Sequence, residues 1–152
     1  MHPIVKDFIN TGDRFHVILE KHYDKDQYLE TVFLKVAHGL QSQNIEPELL
    51  TEIDQAITKG HPDASVYLLF LSFVITVFSS LIGIERASAI KSICDSFPKE
   101  NFHPVVQSYY VLAIATLKMR GGKTDESLAL SKEALRLVNN KSPRYYVILL
   151  NL

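Results

Sequence analysis

One stretch without charge constrains this chain more than anything else in it. Residues 64–84 contain no Asp, Glu, Lys or Arg, and Asp63 and Glu85 bracket them. Between Val66 and Ile75 only Ser72 and Tyr67 interrupt a run of aliphatic and phenylalanine side chains. A segment this long and apolar suits two environments. It can span a bilayer, or it can form a central helix that its neighbours cover on every side. The sequence favours the covered helix. Ser72, Thr76, Ser79 and Ser80 dilute the second half, and the acidic flanks supply no Lys/Arg asymmetry to orient a span. The other helices are amphipathic and need an apolar partner.

Those helices are read from a 3.6-residue period. Ile4, Val5, Phe8 and Ile9 mark a short first helix, broken at Gly12-Asp13. Phe15, Ile18, Leu19 and His22 share a face of the second. Tyr28, Leu29, Val32, Phe33, Val36, Ala37 and Leu40 form a clear stripe on the third. Glu46-Pro47-Glu48 opens a fourth, where a first-turn proline and acids suit the positive end of the helix dipole. Lys59-Gly60 closes it, and His61-Pro62-Asp63 opens the uncharged helix, which Gly83 ends. Further helices are expected over 85–97, from Pro104 to Arg120, over 124–139, and from Ser142-Pro143 onward. The expectation is an all-α fold of about nine helices, stacked as antiparallel pairs. No Pro/Gly/Ser-rich linker divides the chain, so 1–152 reads as one domain, with N-terminal helices over 1–60 and helix pairs over 61–152.

The second half repeats loosely. Pro62, Pro104 and Pro143 each open a helix and each precedes tyrosine, at Tyr67, Tyr109-Tyr110 and Tyr145-Tyr146. The period of roughly 40 residues lies in the range of helix-turn-helix repeats. Residues 122–137 carry the clearest unit: Gly122 at a turn, then a helix with Ala134-Leu135, while Ala115 supplies a small residue in the preceding helix. This unit resembles a tetratricopeptide repeat. It departs from that pattern at Ser127, which stands in place of the family's usual small residue early in the second helix, at Ser131, where the family has an aromatic, and at Asn139, where it closes with proline, although Pro143 follows shortly. The resemblance covers one unit over 108–141, is faint over 62–98, and does not reach 1–60. It implies a short superhelical array whose first helices line a groove. By the family's pattern Tyr109, Leu112, Thr116, Met119, Arg120 and Tyr146 would face that groove.

Chemistry is hard to find. The six histidines include no His-x-x-x-His pair, so no metal is expected. His61 and His103 precede proline at helix starts, where turn geometry accounts for them. Cys94 is the single cysteine, with apolar neighbours and no base, and reads as core. Gly121-Gly122-Lys123-Thr124 lacks the upstream glycine and strand of a phosphate loop. No catalytic constellation and no cofactor motif is present, so a non-enzymatic protein is expected. Net charge is −1 with Lys and Arg dispersed, which argues against nucleic acid as the partner. One cysteine and no secretory signal fit a cytoplasmic protein.

The function expected from these features is protein–protein interaction. An adaptor or chaperone would hold a partner's peptide or helix in the groove, in the manner of the tetratricopeptide-like chaperones of bacterial secretion systems. One alternative is a helical-repeat sensor domain of a longer signalling or transcription-regulating protein. The other is a membrane-inserting helical protein using 64–84. The apolar C-terminal stretch 145–152 also offers a surface for a homodimer or hetero-complex.

Overall fold

The structure is a computed structural model that describes residues 1–11 and 14–138. Among the described residues there are eight α-helices and no strand. They are α1 Pro3–Asn10, α2 Phe15–Lys21, α3 Tyr28–Ser42, α4 Pro47–Lys59, α5 Ala64–Val77, α6 Ile84–Cys94, α7 Pro104–Arg120 and α8 Thr124–Leu137. The expected break at Gly12-Asp13 and the ninth helix from Ser142-Pro143 lie outside the described residues.

Local chemistry sets most of the boundaries. Proline takes the first turn of α1, α4 and α7, where its missing N–H costs nothing. Histidine caps two of these starts: His2 Nδ1 accepts the Ile4 N–H at 3.2 Å and His103 Nδ1 accepts the Val105 N–H at 3.1 Å. The Asp63 carboxylate caps α5 through the Val66 N–H at 3.0 Å. Gly122, at φ +80°, makes the turn between α7 and α8. At Gly39 the reason for glycine is space. A Cβ there would meet the end of the Ile45 side chain and lie 3.0 Å from the Asn44 carbonyl, so the segment leading into α4 would have to shift away from α3.

The uncharged segment differs from expectation in its last turn. Regular α-helix stops at Val77, and residues Phe78–Ile82 wind into a π-helical turn closed by the Gly83 N–H on the Phe78 carbonyl at 2.7 Å. The following helix starts at Ile84 and ends at Cys94, short of Phe97, and the expected loop after Pro98 contains a 3-10 turn over Lys99–Asn101. The helix Ala64–Ile82 is long and apolar enough to cross a membrane, with a mean hydropathy of 2.2, and 67% of that window is buried inside the fold. α1, α3, α6 and α7 all pack on α5, and its residues from Leu68 to Ile75 are buried without exception. Two of its hydroxyls are satisfied within the helix, where Ser72 donates to the Leu68 carbonyl and Thr76 to the Ser72 carbonyl, while the Tyr67 hydroxyl donates to the Ile57 carbonyl of α4.

Consecutive helices pair. Val105 at the start of α7 clusters with Ala134 and Val138 at the far end of α8, while Lys118 lies 3.7 Å from Glu126, so α7 and α8 run antiparallel. In α3 and α4, Tyr28 donates to Gln55 and Lys35 pairs with Glu52. In α5 and α6, Arg86 lies over the Phe78 ring and Tyr67 meets Phe97 just past the end of α6. The first helices of these pairs form a row, since α5 packs on both α3 and α7. α1 does not continue the row. It packs on α5 and α7, and the Phe8 ring lies 6.2 Å from Phe33, 6.0 Å from Phe73 and 5.2 Å from Tyr109. One aromatic therefore touches three different helices of the row. α2 follows on α3, with Phe15 5.1 Å from Phe73.

Candidate functional site

Two places in the molecule bring together groups that could act. The first is the face of the row, where α7 carries most of the residues assigned to the groove. The structure distributes them along the helix. Tyr109 is half-buried, its ring edge-on to Phe8 and 5.8 Å from Phe73. Leu112 is half-buried against the Val105, Ala134 and Val138 cluster. Thr116 donates to the Leu112 carbonyl at 3.1 Å. Met119, 49% exposed, and Arg120 stand open at the C-terminal end. Tyr146 lies outside the described residues. Tyr109 and Leu112 thus join the packing between helices, and Met119 with Arg120 form an open edge.

The row is not bare where Tyr109 lies. α1 covers it with Ile4, Val5 and Phe8, each at most 2% exposed. These three sit at i, i+1 and i+4 and so share one face, as in an amphipathic helix laid into a groove. Polar contacts hold both ends of α1. His2 caps its start, and near its end the Asp7 carboxylate lies 2.6 Å from His22 Nε2 and 3.2 Å from Lys21 Nζ. The hydrogen bond from His22 is the main reason the Asp7 carboxyl titrates below the usual carboxylate range.

The second place is a cleft of about 560 Å³ beside the start of α1, lined among others by His2, His22, Asp24, Glu30, His61 and Asp63. Glu30 is its least expected member. It sits on α3 next to the apolar stripe, is 6% exposed, and is hydrogen-bonded to His61 Nε2. Ligand atoms of His2, Glu30 and His61 lie within 4.8 Å of one another, a set of donors that could surround a metal ion. The backbone decides the polarity of this set. The Asp63 N–H points at His61 Nδ1 at 2.9 Å, and the Ile4 N–H at His2 Nδ1. A nitrogen that accepts an N–H carries its lone pair there, so in each neutral ring the proton sits on Nε2. His61 therefore donates from Nε2 to the Glu30 carboxylate. A metal-ligating imidazole has the opposite arrangement, with its remote nitrogen donating. A metal at both Nε2 atoms would have to reverse two tautomers and open two backbone hydrogen bonds. The cluster ties Glu30 to His61 and, through the two Nδ1 acceptors, fixes the start of α1 and the entry to α5.

Cys94, Tyr110, Glu52 and Asp54 are engaged in structure. Cys94 is fully buried, and burial pushes its thiol up to about 12, so it is no nucleophile at neutral pH. The Tyr110 hydroxyl donates to Asp95 at 2.9 Å, and burial together with that carboxylate raises its pKa. Glu52 and Asp54 pair with Lys35 and Arg86 across the surface. A smaller hollow of about 310 Å³ lies between α6 and α8, floored by Tyr110, Val111 and Ile114.

Sequence reasoning missed the Glu30 site. The available signal was the His-Pro dipeptide, present at His2, His61 and His103. It marks each imidazole as a backbone acceptor, but which acid faces it depends on a contact 31 residues away in sequence. No protein-family model, no curated protein and no solved structure matches this chain.

Proposed function

We propose that the chain is a non-enzymatic protein-interaction module: antiparallel helix pairs stacked in tetratricopeptide-like fashion, receiving a helix from a protein partner on the face of their first helices. An adaptor or dedicated chaperone is the role that fits such a module. One observation supports this above all. Phe33 of α3, Phe73 of α5 and Tyr109 of α7 stand side by side and together seat a single aromatic from a short amphipathic helix. A surface that holds one such helix has the shape and the apolar area to hold another. Met119 and Arg120, exposed at the C-terminal end of α7, add a thioether and a guanidinium, groups suited to a partner's apolar and acidic side chains.

Selection of displayed helical peptides on the intact chain tests this function. Enriched sequences should carry apolar residues at i, i+1 and i+4, and their binding should weaken by about tenfold or more in Met119→Ala or Arg120→Ala. Failure to enrich any helix, or binding indifferent to both variants, would reject the groove.

A further inference from the structure

We infer that α1 is an exchangeable resident of the row's face, and that the partner which replaces it is an amphipathic helix with an aromatic in Phe8's place and an acid in Asp7's. This rests on the interaction function proposed above and names the chemistry of its partner.

Topology is the first support. In a stacked array each unit touches only its neighbours. α1 reaches α7 across the whole row, so it lies over the array and is not part of the stack. Its size is the second. α1 has 8 residues, fewer than the roughly 12–15 at which an isolated helix becomes even marginal in water, so it is helical because of its seat. The third is the division between the two N-terminal helices. α2 has contacts that do not involve α1: it packs on α3, and its Phe15 ring lies 5.1 Å from Phe73, tilted against it. With α2 in place, Lys21 and His22 remain beside the vacated seat as a polar pair without Asp7. An incoming helix that supplies a carboxylate one residue before its aromatic restores that pairing. A helix with a lysine there sets like charge against Lys21, and the charge pattern discriminates between partners.

The test is hydrogen exchange on the full chain, combined with a fluorescent peptide of residues 1–11 as the probe. Amides of α1 should exchange about tenfold or more faster than those of α5, because α1 opens alone. The peptide should bind Phe8→Ala chain about tenfold more tightly than the intact chain, where the resident helix competes. A peptide carrying Phe8→Ala or Asp7→Lys should bind neither. Because Phe8→Ala removes a core ring, His2→Ala serves as a second chain variant that weakens only the α1 cap, with circular dichroism confirming retained helix. Exchange of α1 and α5 in one event overturns the proposal. So does a probe that binds neither opened chain. A dimer by light scattering at the same concentrations assigns the seat to a second copy and overturns the partner assignment. Displayed helices that bind while α1 stays protected overturn exchangeability alone and leave the interaction module standing, whereas no binding helix at all removes both.

Discussion

α1 and α8 lie at opposite ends of the described chain, and they are attached to α7 in opposite ways. α8 is held by small residues. Its buried positions are Ser127 and Ala134, Ser127 donates to the Ala115 carbonyl at 2.7 Å, and Leu128 is 43% exposed. The two helices approach closely, with a turn of two glycines between them. α1 is held by large residues with no chain continuity nearby: Phe8 against Phe33, Phe73 and Tyr109. Small-residue contact gives a precise angle with little apolar area. Aromatic contact gives much area and spreads it over three helices. The α7–α8 pair is therefore a local unit, and the α1 layer ties distant units together.

That contrast yields an ordered set of expected effects. Phe33→Ala, at 0% exposure beside Phe8, Phe70 and Phe73, should destabilise by about 3–5 kcal/mol, read from chemical denaturation. Ser127→Leu should cost about 1–3 kcal/mol by overpacking the α7–α8 contact and losing the hydrogen bond to Ala115, and its effect on exchange should concentrate in α8. Equal loss of protection in α1 would erase the distinction between the two attachments. A double-mutant cycle on Phe8 and Tyr109 should give a coupling of roughly 1 kcal/mol, the size of an edge-to-face aromatic pair. Gly122→Ala, at φ +80°, should cost about 1 kcal/mol and leave α1 unchanged. The smallest effect belongs to Arg86→Ala on the exposed pair with Asp54, below about 1 kcal/mol.

Mild acid acts on α1 through His2. Burial, opposed in part by Asp63, holds the His2 imidazole below its ordinary value of 6.5. The unfolded chain binds that proton more tightly, so the stability linked to His2 is complete above about pH 6.5 and drains away as the pH falls below it. Proton uptake on Nδ1 also removes the acceptor of the Ile4 N–H. Protection of α1 should fall between about pH 7 and about pH 5 while α8 is unaffected, and His2→Ala should abolish the dependence.

The same contrast explains what the sequence made legible. Helices from α3 onward were readable because proline, glycine and acids punctuate an apolar period, and local contacts reward that pattern. Burial of α5 was readable because the one-faced helices α1 and α3 need an apolar partner and its acidic flanks orient no span. The π-helical turn at Phe78–Ile82 was not, since nothing in FSSLI departs from helical composition. The position of α1 was not readable either. Ile4, Val5 and Phe8 announce an amphipathic helix, but its seat is made by residues as far away as Tyr109, and no periodicity encodes that pairing. Tyr109 was assigned to the groove by repeat pattern alone, which says nothing of the chain's own helix lying over it. Glu30 escaped notice for the same reason: a single acid beside a stripe looks solvated until the turn at His61 closes over it.

Proton–proton contacts between aromatic rings, measured by nuclear Overhauser spectroscopy on the chain in detergent-free buffer, test the α1 layer and the enclosure of α5 together. Cross-peaks should link the Phe8 ring to Phe33, Phe73 and Tyr109, and Phe73 to Phe15. A spectrum in which Phe8 contacts none of them, or a chain that yields these contacts only in lipid, would contradict a central helix covered by its own N-terminal layer.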